Sequence, residues 1–264
     1  MVTTQTQLNQ NSNVHQLMSD RVVLITGASR GIGAATAKLL AHHGATVGIN
    51  YYSSEAEAQA LVDEISSHGG KALALKADVR SPEQVNAIVE QFSEAFGAID
   101  TLVINANASF PVAPFIDYRW EDFEAKLLGE LKGAFFPCKA VVPSMIEHER
   151  GCIIAVSSGL SRYPDKGFCA HSTAKSGLDA FVKSLALELG AYGIRVNAVS
   201  PGLTLTDATS FLPQENKDAA AQSTPLKRNG LPEDIAGAIL LLASEQAKFI
   251  TGAYLPVSGG IQML

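Results

Sequence analysis

The sequence predicts an α/β fold: one doubly wound sheet of seven mainly parallel strands with helices on both faces. Short apolar runs alternate with stretches of helical periodicity through the chain, and no repeat or linker interrupts them. Strands of a parallel sheet are buried on both faces, so they read as brief continuous apolar runs rather than alternating ones. The first run, Val22 to Ile25, passes straight into a glycine-rich turn and an apolar helical pattern that resumes at Ile32. At 264 residues the chain is long enough for one such domain with a full core.

The remaining elements follow in order. Thr46 to Asn50 (TVGIN) reads as the second strand and Glu55 to Ile65 as the helix after it. Lys71 to Lys76 (KALALK) is the third strand. Val85, Ile88, Val89, Phe92 and Phe96 then fall at i, i+3, i+4, i+7 and i+11, which places them on one buried helical stripe. Thr101 to Ile104 is the fourth strand. A long helix is expected from Glu121 to Ile146, bent near Pro137 because proline removes an i→i−4 bond. Cys152 to Val156 (CIIAV) is the fifth strand. Leu178, Phe181, Val182, Leu185 and Leu189 mark an amphipathic helix, and Arg195 to Val199 the sixth strand. A helix from Pro232 to Ala243 and a seventh strand from Tyr254 to Val257 complete the pattern. The ligand crevice of such a sheet lies at the carboxyl ends of its strands.

Residues 1–20 are polar and rich in Gln, Asn and Thr, with no Lys or Arg before Arg21. They read as a disordered tail, which leaves 21–264 as a single Rossmann-type domain binding cofactor and substrate. They match neither a secretory signal nor an Arg-rich transit peptide. The net charge of −6 argues against nucleic acid or an anionic membrane as partner. The longest near-continuous apolar run, Ile235 to Ala243, is nine residues, too short for a membrane span. Cys138, Cys152 and Cys169 lack metal-ligand spacing and are odd in number, so buried thiols in a cytoplasmic protein are expected, with no metal site.

Gly27, Gly31 and Gly33 stand where a strand–turn–helix connection needs backbone without Cβ. One allows the sharp turn, one the approach of a phosphate, and one close packing of helix on strand. The helix N-terminus that follows is a ready anion site.

The run Thr26-Gly27-x-x-x-Gly31-x-Gly33 resembles the cofactor loop of the short-chain dehydrogenase/reductase family, in particular its 3-oxoacyl-carrier-protein reductases. The resemblance implies a nicotinamide dinucleotide held by Gly27, Ser29, Arg30, Gly31, Ile32 and Gly33. It implies that Asp78 and Val79, after the third strand, hold the adenine. Asn105 and Ala106 follow the fourth strand, and Pro201-Gly202-Leu203-Thr204, after the sixth, resembles the loop against the nicotinamide amide. An acid at the end of the second strand would bond the ribose 2′-hydroxyl and repel a 2′-phosphate. Here that strand ends Asn50-Tyr51-Tyr52-Ser53, with no acid before Glu55, and Arg30 stands ready for a phosphate. NADP(H) is therefore favoured over NAD(H), and the residues from Asn50 to Ser53 are expected near the cofactor.

The same resemblance implies a Ser, then a Tyr and a Lys four residues apart. Ser158 and Lys175 are in register, but His171 stands where the family has Tyr. The i, i+4 spacing keeps His171 and Lys175 on one helix face. Glu130, in Glu-Leu-Lys-Gly, replaces the family's Asn, Asn107 replaces a Gly, and Ser258 an Asp. An unperturbed imidazole titrates near 6.5, so His171 is expected to move the proton near neutral pH, with Lys175 lowering its pKa and Glu130 raising it. Tyr163 is a second candidate acid. Residues 109–117, 159–170 and 203–226 are expected to wall a partly apolar pocket with a mobile lid.

The leading expectation is an NADP(H)-dependent oxidoreductase interconverting a carbonyl and an alcohol on a small molecule. Its catalytic residues would be Ser158, His171, Lys175 and Glu130. Two alternatives remain: a non-redox isomerase, dehydratase or cyclase using Glu130 and His171, or a catalytically silent NADP-binding protein. The resemblance also implies a homotetramer or homodimer built on the two long helices.

Overall fold

A computed structural model describes residues 16–263 of the chain. Strands β1 (Val22–Ile25), β2 (Thr46–Tyr51), β3 (Lys71–Lys76), β4 (Thr101–Ile104), β5 (Gly151–Val156), β6 (Ile194–Pro201) and β7 (Tyr254–Val257) form one sheet. Its order is β3-β2-β1-β4-β5-β6-β7, and every neighbouring pair is parallel. The seven main helices are α1 (Gly31–His42), α2 (Glu55–Ser67), α3 (Pro82–Phe96), α4 (Trp120–Glu147), α5 (Cys169–Leu189), α6 (Gln214–Ser223) and α7 (Pro232–Ala243). The expected doubly wound architecture is what forms. Strand order reverses between β1 and β4, so a crevice opens at the carboxyl ends of those two strands.

Alternation along each strand builds two cores, one per face. Val23, Ile25, Val47, Ile49 and Ile154 pack with Leu40 of α1 and Ile239 of α7. Leu24, Leu102, Ile104 and Ile153 pack on the other side with Phe92 of α3, Val141 of α4 and Leu178 of α5.

Three differences from the sequence reading matter. The expected tail of residues 1–20 is folded in its last part; residues 1–15 lie outside the described residues. Met18 is fully buried, and its N–H donates to the His43 carbonyl (2.9 Å) while its own carbonyl accepts from Arg21 N–H (3.1 Å). Two adjacent apolar side chains in a polar stretch, Leu17 and Met18, pack on the core and anchor it. Second, the long helix expected forms as α4, and it carries Pro143 inside it as well as Pro137. Third, the segment read as a lid contains α6, a polar helix with no buried residue.

Candidate active site

The glycine turn is built for close approach. Gly27 and Gly31 adopt φ of 60° and 56°, the left-handed region that disfavours a side chain. A Cβ at Gly27 would lie 2.8 Å from the Ala106 Cα, and one at Gly33 only 2.6 Å from Asn105 Nδ2. Thr26, fully buried, ties this turn to the loop after β4: its Oγ accepts from the N–H groups of Asn105 (2.9 Å) and Ala106 (3.0 Å). Asn105 Nδ2 returns the contact to the carbonyls of Thr26 and Gly27, both at 2.9 Å. The sequence reading had Thr26 as the first residue of the motif but gave it no role.

Helix α1 begins without a side-chain cap, leaving its first N–H groups open to an anion. Arg30, its N-cap residue, is exposed; its carbonyl accepts from Ala34 N–H (3.3 Å), and among the described residues its guanidinium makes no hydrogen bond or ion pair. Ser29 is half-buried beside it, and Ile32 packs its side chain against the core. The Thr206 methyl lies where a Cβ at Gly31 would come within 3.5 Å, so the segment after β6 reaches back over the turn. Before that segment, Gly202 N–H donates to the Val257 carbonyl (3.1 Å) and the Thr204 hydroxyl to the Gly202 carbonyl (3.2 Å), which fixes the loop following Pro201.

Asn50 departs from its expected part as a cofactor contact. It is buried, its Nδ2 donates to the carbonyls of Leu75 (3.2 Å) and Ala77 (3.1 Å), and its Oδ1 accepts from Gly27 N–H (3.1 Å). With both ends of the amide engaged, it buttresses the glycine turn from behind. Tyr51 is also buried, whereas Tyr52 and Ser53 are exposed. Asp78 is gripped by Arg80, whose Nε and Nη2 reach its two oxygens at 2.9 and 2.7 Å. That hydrogen bonding holds the Asp78 carboxyl below its usual range. The same guanidinium lies 5.9 Å from the Tyr52 ring centroid, and Val79 faces α4 at Gly133.

A buried ionic cluster occupies the end of β5. Lys175 Nζ donates to the Val156 carbonyl (2.6 Å) and pairs with Glu130 Oε1 (2.7 Å). Glu130 Oε2 receives Lys126 Nζ at 2.6 Å, and Lys126 also donates to Asn107 Oδ1 (2.6 Å) and the Ala108 carbonyl (3.0 Å). Lys126 is fully buried; Glu130 and Lys175 are each 4 % exposed. Burial alone would raise the Glu130 carboxyl, but the two ammonium groups overcome it and hold it at about 2. Burial, with Lys175 nearby, brings Lys126 down to about 8 against the pull of Glu130. Lys126 was not foreseen, although its i−4 spacing from Glu130 on a helix was the available signal. The departures at Asn107 and Glu130 are thus parts of one arrangement.

His171 lies on the same face of α5, one turn before Lys175. Its ring stacks on Phe110 at 4.6 Å with planes 16° apart, and its Nδ1 is buried without a hydrogen-bond partner. Burial, reinforced by Lys175 and Lys126, pushes its pKa down to about 3. The expectation of an imidazolium near neutral pH is therefore corrected: the ring is neutral there. Glu130 raises it, as expected, but by less than burial and the two lysines lower it. Ser158 follows two residues after Val156; its Oγ accepts from Leu160 N–H (3.2 Å), which leaves its O–H free to donate. Tyr163, the second candidate acid, donates its hydroxyl to the Met263 carbonyl (2.8 Å) and is tied to the C-terminal segment instead.

Two of the expected walls are zipped together. Ala113 N–H donates to the Gly167 carbonyl (3.2 Å), and Phe110 meets Phe168 edge to face at 6.1 Å. The Lys126 ammonium lies over the Phe110 ring, 5.0 Å from its centroid, so this ring meets both the cluster and the imidazole. Among the described residues no group of His, Cys, Asp and Glu is arranged to hold a metal.

The sheet, the glycine turn and the Ser/Lys pair at the end of β5 define a nucleotide-dependent oxidoreductase scaffold. The chain belongs to the short-chain dehydrogenase/reductase family, and within it is 3-oxoacyl-carrier-protein-reductase-like. The family described as enoyl-(acyl carrier protein) reductase matches residues 27–262. An L-rhamnose 1-dehydrogenase (NAD(P)(+)) of Sphingomonas sp. is 39 % identical over 249 residues, covering 93 % of this chain and 98 % of that one. A 3-oxoacyl-[acyl-carrier-protein] reductase of Synechocystis sp. is 38 % identical over 247 residues, with the same coverage. Among solved structures, a 3-oxoacyl-[acyl-carrier protein] reductase from Brucella melitensis superimposes with a TM-score of 0.88 at 31 % identity, covering 95 % of this chain and 94 % of that one.

Proposed function

We propose that the protein is an NADP(H)-dependent oxidoreductase that interconverts a carbonyl and an alcohol on a partly apolar small molecule. One observation carries the reading. Lys175 is locked to the carbonyl of Val156, Ser158 follows two residues later, and His171 lies one helical turn away, all beside a cradle that a Cβ would fill. The glycine turn and open α1 N-terminus fit the pyrophosphate of the cofactor, with Asp78, Val79 and Tyr52 at the adenine end. Asn105, Ala106, Pro201, Gly202, Thr204 and Lys175 fit the nicotinamide end. Arg30, unpaired and with no acid at the end of β2, fits a 2′-phosphate. When bound, the nicotinamide supplies or accepts the hydride.

The remaining work falls to the protein. Ser158 hydrogen-bonds the substrate oxygen through its hydroxyl, and the proton that turns the oxyanion into the alcohol comes from solvent water, to which it returns in the oxidising direction. His171, neutral, acts as a hydrogen-bond donor to that same oxygen rather than as an imidazolium acid, and stabilises negative charge as it develops. Lys126 and Lys175 against one Glu130 leave a net positive charge beneath the imidazole, which favours such an oxyanion. The non-redox reading needed Glu130 and His171 as an acid–base pair; a lysine on each oxygen and a carboxyl held at about 2 make Glu130 a poor base, which favours the redox reading. We place the enzyme in the cytoplasm, where its free thiols at Cys138, Cys152 and Cys169 stay reduced, and assign it a homotetrameric or homodimeric state.

The test is a panel followed by nicotinamide absorbance: short 3-oxoacyl thioesters with NADPH, and aldoses including L-rhamnose with NADP+. Turnover that falls about a hundredfold in Ser158→Ala supports the reading. Saturable NADPH binding with no turnover on any member would instead mark a cofactor-binding protein. For the cofactor, Arg30→Ala should weaken NADPH about tenfold, the loss of one charge-assisted contact, and leave NADH unchanged. Tighter binding of NADH than NADPH by the parent enzyme would overturn the preference.

A further inference from the structure

Helix α5 carries a third polar residue on the stripe that holds His171 and Lys175. Asp179 stands one turn beyond Lys175, 8 % exposed, and both of its oxygens are engaged. Oδ1 accepts from the Ser157 hydroxyl at 2.5 Å and Oδ2 from the Ser161 hydroxyl at 2.6 Å. Those two serines bracket Ser158 and the short 3₁₀ turn Gly159–Ser161 that follows it. From the sheet side, Tyr254 of β7 brings its hydroxyl within 2.7 Å of Ser200 Oγ, 3.2 Å of the Ser158 carbonyl and 3.3 Å of Ser161 Oγ. The Ser158 carbonyl also accepts from Ser161 N–H at 3.0 Å. The Arg162 guanidinium covers the outer face of the Tyr254 ring at 3.7 Å.

We propose that Asp179 and Tyr254 are positioning residues that fix the Ser158 hydroxyl relative to His171 and Lys175. Ser158 leaves the sheet at the end of β5, whereas His171 and Lys175 ride on α5, so their separation depends on what joins turn to helix. A carboxylate accepting from both sides of the turn is a two-point tether, stronger than neutral hydrogen bonds would be. Tyr254 closes the third side and stops the turn from pivoting about that tether. The hydroxyls of Ser157 and Ser161 are spent on this support, which leaves Ser158 as the serine of the turn free to donate outward. The proposal rests on the reading of Ser158 as the residue that touches the substrate oxygen.

The experiment is a double-mutant cycle on the full chain, with NADPH and the carbonyl compound turned over fastest in the panel above. Asp179→Ala should lower kcat roughly tenfold or more, as a small misplacement of a reacting group does, with KM and Kd for NADPH unchanged. Asp179→Asn, which keeps an acceptor for one serine and a donor toward the other, should recover most of that loss. In a Ser158→Ala background, Asp179→Ala should cost less than about twofold further, because the group being positioned is gone. Tyr254→Phe, which removes only a hydroxyl, should show the same non-additivity and serves if Asp179→Ala does not fold. Losses that add fully in the Ser158→Ala background, or an unchanged kcat in both Asp179→Ala and Tyr254→Phe, overturn the positioning role. An unchanged kcat in Ser158→Ala alone overturns the reading of the site, and the proposal falls with it.

Discussion

Lys126 donates all three of its ammonium protons, to Glu130, Asn107 and the Ala108 carbonyl, and only such complete satisfaction makes a fully buried cation tolerable. Glu130→Gln removes the one negative charge between two buried ammonium groups. It should destabilise the fold by about 3–5 kcal/mol, the cost of breaking a buried pair, read as a lower denaturation midpoint. Acid should act in the same direction. Glu130 titrates at about 2 in the fold against an ordinary 4.5, so its stabilisation is complete above pH 4.5 and lost as pH falls toward 2. His171 titrates at about 3 against 6.5; the unfolded chain takes up its proton first, and stability declines as pH falls from 6.5 to 3. His171→Gln should therefore flatten the dependence between pH 6.5 and 4.5 and leave the steeper fall below it. In turnover, kcat/KM should show no inflection near 6.5 assignable to His171. An inflection there that disappears in His171→Gln would refute the neutral donor. The motif spacing placed His171 and Lys175 on one face, but the charge state depended on Lys126 and Phe110, which reach the imidazole from α4 and from the loop after β4. No local pattern carries that information.

At the level of elements, the turn from β1 into α1 was legible because its demands are local: a positive φ, an open helix end, a glycine at each close approach. The central strands β1, β4 and β5 were legible for a similar reason, since four to six residues buried on both faces leave a nearly unbroken apolar run. What the sequence hid was how the turn is braced. Thr26, Asn50 and Asn105 satisfy one another's neighbours across three strands, and a buried polar residue announces its partner only once the sheet is assembled. Gly33→Ala tests the cradle as a unit. Its Cβ would meet backbone atoms of Ala28 and Gly27 at 2.8 Å as well as Asn105 Nδ2 at 2.6 Å, none of which is the free end of a flexible chain. The substitution should lower stability by roughly 1–3 kcal/mol, typical of overpacking, and weaken NADPH binding by more than the stability loss explains. A titration showing parental NADPH affinity would mean that the turn does not carry the cofactor. Asp179 hid for the same reason as Thr26: its serines are distant in sequence, on the turn after β5.

For the whole molecule, the question is what covers the apolar surface that one chain leaves open. Two separate patches stand out among the described residues. Leu128 and Phe135 are exposed seven residues apart on α4, beside Phe181 of α5, the pair of long helices expected to associate. Leu241 of α7 and, on the segment between α7 and β7, Phe249 and Ile250 are a second set of exposed apolar side chains. A single two-fold axis pairs one patch with its own copy; two independent self-complementary patches on different faces generate a tetramer of dihedral symmetry. Self-association through both patches would give the homotetramer, and through one alone the homodimer. Charging one patch should split it without unfolding the subunit, because these side chains contribute little to either core. Phe135→Glu combined with Leu128→Glu should give dimers held through the α7 patch. Phe249→Asp combined with Leu241→Asp should give dimers held through α4 and α5, and all four substitutions together should give monomers. Light scattering coupled to size-exclusion chromatography reads each state directly. A parent protein that is monomeric at micromolar concentration would refute the assignment, and would require both patches to face water or another partner.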